Sequence, residues 1–103
     1  MANTSVYTAS KHAIEGLTKC AALEGAASGV RVNAIAAGPV ETEMLKRFVG
    51  GSDAVKSSVL GMVPARRAAR PREIAELIMF LASDKSPYMT GSSVRIDGGY
   101  TAQ

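Results

Sequence analysis

The sequence predicts an α/β fold, and three observations carry that expectation. Apolar residues recur at helical spacing near the start of the chain and again around 74–81. Two short stretches rich in β-branched residues, 30–36 and 93–96, follow helical segments closely, as in parallel sheets. Glycine and proline turns separate the pieces. The order is helix, strand, irregular helical insert, helix, strand, giving two parallel strands and about four helices.

Residues 4–28 read as the first helix, with Thr4 or Ser5 able to cap its start. Val6, Ala9, Ala13, Leu17, Cys20, Ala21 and Leu23 mark its apolar face, and Gly29 is placed to end it. Cys20 is expected to be a small core residue on that face. Residues 30–36 read as a strand, broken by Ala37-Gly38-Pro39. Residues 42–63 read as one or two short helices, with Thr42 and Ser52 or Asp53 as caps and Gly50-Gly51 between them. Pro71 suits the first turn of the next helix and Glu73 its positive end. Ile74, Leu77, Ile78 and Leu81 give that helix one buried face. After a Ser83–Pro87 stop and a Thr90-Gly91 turn, 93–96 forms the second strand, closed by Asp97-Gly98-Gly99, a structural turn.

Composition narrows the function classes. The 103 residues are 47% apolar and 20% charged, the balance of a globular chain long enough for one small domain. The net charge of +3 is mild, and basic residues are not interleaved with the five aromatics, so nucleic-acid binding is not expected. Arg66, Arg67, Arg70 and Arg72 read as a solvated loop and helix entry. A lone cysteine offers no internal disulfide, and no apolar run is long enough to span a bilayer. Met1 leads into polar Asn3, Thr4 and Ser5 without the pattern of a signal peptide, which makes the cytoplasm the expected location. His12 points about 100° around the helix from Lys11. With no second histidine it reads as a structural or surface residue, and no metal site is expected. Asn33 reads as a hydrogen-bonding residue within its strand, and Tyr100 as a packing or interface residue.

One pair carries chemistry. Tyr7 and Lys11 stand four apart near a helix start and share a helix face. An ammonium beside a phenol favours the ionised oxygen, as does the positive end of a helix, and such a phenol can exchange a proton in general acid-base catalysis. By itself Tyr-x-x-x-Lys is common. Here it belongs to a series. Tyr7-x-Ala9-Ser10-Lys11, with Ala13, Gly16-Leu17-Thr18 and Leu23-Glu24, resembles the active-site helix of the short-chain dehydrogenase/reductase family. Val30-Arg31-Val32-Asn33-Ala34-Ile35 resembles the following strand, and Gly38-Pro39-Val40-Glu41-Thr42-Glu43-Met44 the loop beside the nicotinamide. Pro71-x-Glu73-Ile74-Ala75, Phe80-Leu81-Ala82-Ser83, Thr90-Gly91 and Ile96-Asp97-Gly98-Gly99-Tyr100 resemble the last large helix, its turn and the C-terminal signature. The matches run from Tyr7 to Tyr100 in the family's order.

The resemblance implies the C-terminal part of a doubly wound, Rossmann-like parallel-sheet fold, with residues 1–103 a single incomplete domain and 42–63 a substrate lid within it. It implies an NAD- or NADP-dependent oxidoreductase acting on a small carbonyl or alcohol. Tyr7 would exchange the substrate proton. Lys11 would make that proton labile and bind the nicotinamide ribose. Gly38, Val40 and Thr42 would form the cofactor loop, Val40 through its backbone and Thr42 through its hydroxyl. Ala37 stands where the family usually has proline, which loosens one turn. The family's catalytic serine and asparagine and its glycine-rich phosphate loop have no counterpart in these residues. Three expectations follow. The isolated chain binds the cofactor poorly and shows no turnover. The first strand keeps an open edge. The chain therefore self-associates, exchanges elements with a second copy, or needs an upstream half. A non-catalytic oligomerisation module that joins itself or a full-length relative is the alternative, and a binding protein using the apolar insert a third.

Overall fold

The computed structural model describes residues 3–103; Met1 and Ala2 lie outside the described residues. The elements in chain order are helix α1 (Ser5–Gly25), strand β1 (Ala34–Ala37), helices α2 (Glu43–Phe48), α3 (Asp53–Gly61) and α4 (Pro71–Ala82), and strand β2 (Ser93–Ile96). Short 3-10 turns occupy Ala26–Ser28 and Tyr100–Ala102. This is the expected α/β order, with four α-helices and two strands. The strands form a two-stranded sheet. Ala34 N donates to Ser92 O and Gly38 N to Ile96 O, so equal steps along both strands keep the pairing and the ladder is parallel. The chain falls into two compact units. One takes the chain up to Ile35 together with Leu81–Val94; the other takes Ala36–Phe80 and Arg95–Gln103.

In the first unit, α1 ends as its glycine predicts. Gly29 is left-handed (φ 73°), Val30 N donates to Gly25 O, and Gly29 N donates to Ala26 O. These are the paired bonds of a Schellman stop, which satisfy the last carbonyls of the helix. The start of α1 differs from expectation. Thr4 is the N-cap residue, but its side chain makes no capping hydrogen bond, and Ser5 is already helical. The apolar face of α1 is also uncovered. Only Thr18 and Ala22 of α1 are buried, neither of them among the residues expected on that face, while Leu17 is 67% and Leu23 81% exposed. Cys20, expected in the core, is exposed. Periodicity defines a face but does not supply the element that covers it.

The first strand starts later than its β-branched run suggests, at Ala34 rather than residue 30. Val30 N is used in the stop of α1. Val32 N donates to the Thr90 hydroxyl, and Val32 O accepts from Gly91 N. Asn33 meets its expectation, donating to Met89 O and accepting from Ser92 N. The extended residues before Ala34 thus bond to a turn and to side chains instead of to a ladder. Arg31 had no assigned role from sequence. Its guanidinium donates to the carbonyls of Leu81, Ser83 and Met89 at 2.8, 3.0 and 3.1 Å, and to the Ser86 hydroxyl. It places a cation on carbonyls left over at the end of α4, where the helix dipole is negative.

In the second unit, Leu45, Val49 and Ala68 form a small core with Val59 and Leu60 packed against it. The insert is two helices. Thr42 caps α2 through a bond from Leu45 N, and Ser52, not Asp53, caps α3 through a bond from Val55 N. Gly50 (φ 63°) ends α2 with bonds from Gly50 N to Arg47 O and from Gly51 N to Lys46 O, again a Schellman pattern. The face expected to be buried on α4 is partial. Leu81 is buried and Ile74 and Leu77 half-buried, but Ile78 is 51% exposed.

Candidate active site

Tyr7 and Lys11 lie in the first unit. Both are in the first half of α1, one turn apart, and Lys11 Nζ sits 5.1 Å from the centroid of the Tyr7 ring. That is a cation–π contact, attractive because the ring face is negative. Tyr7 is the third residue of the helix and is more than half exposed, so its phenol is open to a reaction partner. The local backbone is held by Thr8 N donating to Thr4 O and by the Ser10 hydroxyl donating to Tyr7 O at 2.6 Å. His12 is exposed, and its Nδ1 donates to Thr8 O, a bond within the helix. Among the described residues no group of three His, Cys, Asp or Glu is arranged to hold a metal ion.

Gly38, Val40 and Thr42 lie in the second unit, on the loop that leaves β1. Gly38 has a packing reason to be glycine: a Cβ there would stand 2.9 Å from Asp97 Cα. Val40 pairs in parallel with Ala69, through Ala69 N donating to Pro39 O and Glu41 N donating to Ala69 O. In such a bridge the flanking residues make the bonds, so Val40's own N–H and C=O point away from Ala69. Thr42 donates its hydroxyl proton to Val40 O at 3.2 Å and accepts from Leu45 N at 3.3 Å. A hydroxyl has one proton and two lone pairs, so one lone pair of Thr42 stays available to an outside donor.

The residues on the other side of this loop had only structural or solvated roles from the sequence. Glu73 Oε1 and Oε2 accept from Arg67 Nη1 and Nη2 at 2.7 and 2.9 Å, a two-pronged pair. Oε1 also accepts from Arg70 N at 2.9 Å, the return bond by which a glutamate closes the start of its own helix. The Arg67 guanidinium, then the Arg70 amide, hold the Glu73 carboxyl down at about 2 against an ordinary 4.5. Asp97 is lowered too, first by the Thr101 hydroxyl, with Gly99 N and Thr101 N also donating to it. Arg67 is therefore a bonded residue within the arginine cluster expected to be merely solvated. A small cavity of about 190 Å³ lies beside this pair, lined by Pro39, Ala69, Ile96 and Asp97 among others.

The structure thus brings Tyr7 to Lys11, and Gly38, Val40 and Thr42 onto one loop; the two groups belong to different compact units. Comparisons with known proteins bear on the chain as a whole. A family model described as enoyl-(acyl carrier protein) reductase matches residues 1–101. A short-chain dehydrogenase from Aspergillus ruber is 45% identical over 95 residues, which cover 92% of this chain and 35% of that protein. A short-chain dehydrogenase family protein from Francisella tularensis superposes with a TM-score of 0.90 at 41% identity, over all of this chain and 46% of that one. A 4-hydroxyisoleucine dehydrogenase, solved with NADH, superposes with a TM-score of 0.88 at 37% identity, over 96% of this chain and 40% of that one. Other similar structures hold NADP. The chain spans roughly two-fifths of the length of the curated relatives it matches, for example 35% and 43% of two of them. Motifs, fold and matches agree: the chain belongs to the short-chain dehydrogenase/reductase family.

Proposed function

We propose that this chain supplies the proton-transfer pair and the nicotinamide loop of an NAD- or NADP-dependent oxidoreductase that interconverts a small carbonyl compound and its alcohol. The observation that carries the reading is the placement of Lys11 Nζ over the Tyr7 ring, one turn along the same helix face. Tyr7 donates a proton to the carbonyl oxygen during reduction and accepts it back during alcohol oxidation. Lys11 stabilises the phenolate left behind and hydrogen-bonds the nicotinamide ribose. The residues fit a nicotinamide carboxamide, which has one acceptor and an NH₂ donor. Val40 N–H is turned outward to meet the acceptor, and the spare lone pair of Thr42 to meet the donor. Gly38 lets the loop start flush against Asp97. When bound, the nicotinamide supplies or takes the hydride. Residues 42–63 form the substrate lid of a single, incomplete domain, closing to exclude water.

By itself the chain is inactive, since it carries no glycine-rich loop at a helix start to hold a pyrophosphate. A cytoplasmic location, with neither nucleic acid nor membrane as a partner, is part of the same proposal and is supported by the lone cysteine and the mild net charge of +3. Among the described residues no helix is long and apolar enough to cross a membrane. The test is made in a full-length enzyme carrying this segment. Tyr7→Phe there should lower kcat by about 10²–10⁴-fold while leaving cofactor affinity within a few-fold, read by cofactor absorbance and by titration. A Tyr7→Phe enzyme with full rate would overturn the assignment.

A second reading, as an oligomerisation module that joins itself or a full-length relative, is favoured by the exposed Val6, Leu17 and Leu23 of α1. Sedimentation of the chain alone and with a full-length relative tests it; a lone, folded monomer in both experiments removes it.

A further inference from the structure

Residues 63–70 form a strap in the second unit, tied on both sides by backbone. On one side Ala65 N donates to Gly98 O, and Gly98 lies so close that a Cβ on it would meet Val63 Cγ1 at 2.7 Å. On the other side Ala69 bonds through both its N–H and its C=O to Pro39 and Glu41, the residues that flank Val40. Val63 and Ala68 of the strap are buried. What fixes the last turn of the strap is the Glu73 carboxylate. It accepts from Arg67 on one prong each, and from Arg70 N, so residues 67 and 70 are both anchored to α4 with Ala69 between them. Arg67 Nη1 further donates to Ala68 O at 3.2 Å, folding the guanidinium back onto the strap.

We infer that Arg67 and Glu73 are positioning residues for the nicotinamide loop: they fix Ala69, Ala69 fixes the backbone of Val40, and the pair thereby sets affinity for the nicotinamide end of the dinucleotide without touching it. The inference rests on the reading of Val40 given above. The Glu73 carboxylate takes three donors, and removing it releases the Arg67 side chain and Arg70 N, leaving the 67–70 turn held by the bonds of Ala69 to Pro39 and Glu41 and by the bond from Glu73 N to Arg70 O. Val40 then keeps its outer ties, Gly38 N to Ile96 O and the Thr42 hydroxyl to its own carbonyl, but loses a rigid partner across the bridge. A ligand that needs Val40 N–H at a fixed point must now order it on binding, and affinity falls by that cost. A ligand that does not reach the loop is unaffected.

The test compares two probes on a full-length enzyme carrying this segment: the complete dinucleotide, and ADP-ribose, which lacks the nicotinamide. Glu73→Ala should weaken the dinucleotide by about tenfold and ADP-ribose by less than about twofold, with kcat at saturating cofactor within about twofold of the parent. Arg67→Lys, which keeps the charge but not the fork, should lie between. Hydrogen exchange should speed up at Glu41 and Ala69 but not at Ala34, a check that the variant is folded. Equal losses for both probes, or no loss for either, would overturn the inference. Val40→Pro, which removes the N–H and also fixes φ at that position, separates the two layers. If it leaves dinucleotide affinity unchanged, the reading of Val40 fails and the inference with it. If it weakens the dinucleotide while Glu73→Ala does not, the inference alone fails.

Discussion

Helix α1 and the strap 63–70 represent two ways of holding residues in place. In α1, 21 residues form a regular helix with two buried residues, a glycine stop and a Tyr-Lys contact made one turn apart. Nearly everything there is local. The strap has no regular structure, yet Ala65 and Ala69 are bonded across to the Asp97–Gly99 turn and to the loop after β1, and an ion pair closes it. Local order thus places the pair assigned to proton transfer, and long-range bonding places the loop assigned to the cofactor. A helix can display a reactive side chain while its outer face awaits cover, because backbone hydrogen bonds inside the helix need no partner elsewhere. A loop has no such ladder, and its shape is only as firm as the contacts that cross it.

The sharpest way to break the comparison is to remove a long-range anchor. Arg31→Ala in the first unit strips a guanidinium from three carbonyls and a hydroxyl, and should lower the unfolding free energy by about 2–3 kcal/mol in urea titration, since its charge-assisted bonds are lost while Asn33 and Ser86 still donate to the same carbonyls. A change no larger than that of a surface alanine would mean that α1 and its neighbours need no such tie. Gly98→Ala should cost somewhat less, about 1–3 kcal/mol, because it puts a side chain at φ 63° and against Val63. Ser52→Ala, a purely local cap, should cost about 1 kcal/mol. At the small end, Leu23→Ser on the uncovered face of α1 should change the stability of this chain by less than about 0.5 kcal/mol. A large loss there would reveal that a second copy already covers the face.

Acid sharpens the same contrast. Glu73 has a folded value of about 2, below its ordinary 4.5, so its stabilising effect is complete above that ordinary value and is lost as pH falls from about 4.5 towards 2. Asp97, lowered chiefly by Thr101, loses its contribution in the same direction. Protection at Ala69, taken relative to the intrinsic exchange rate at each pH, should therefore fall on acidification before protection within α1 does, and Glu73→Gln should remove most of that pH dependence. Identical acid profiles for the two regions would show that the carboxylate is not what holds the strap.

Much of this was legible residue by residue. The caps Thr42 and Ser52, the stop at Gly29, the helix from Pro71 and the strand 93–96 all follow from chemistry confined to a few neighbours. So does the Tyr7–Lys11 contact, because four residues make one helical turn. What the sequence did not reveal depended on where distant backbone runs. Cys20 lies on the face expected to be apolar and buried, yet it is exposed. The first strand loses its opening residues to Thr90 and Gly91, about 58 positions away. Arg31 and the Arg67–Glu73 pair look like ordinary surface charges until carbonyls and a carboxylate arrive beside them.

The sequence alone therefore determined the family, the helix and strand order and the candidate reactive pair, since each is encoded in motifs or in spacing along one element. Only the tertiary structure decided which glycines are obligatory, which arginines are anchors and which carbonyls they satisfy. Side-chain spacing reports a helix face, but a hydrogen bond between residues dozens of positions apart exists only after the chain has folded back to bring donor and acceptor within about 3 Å.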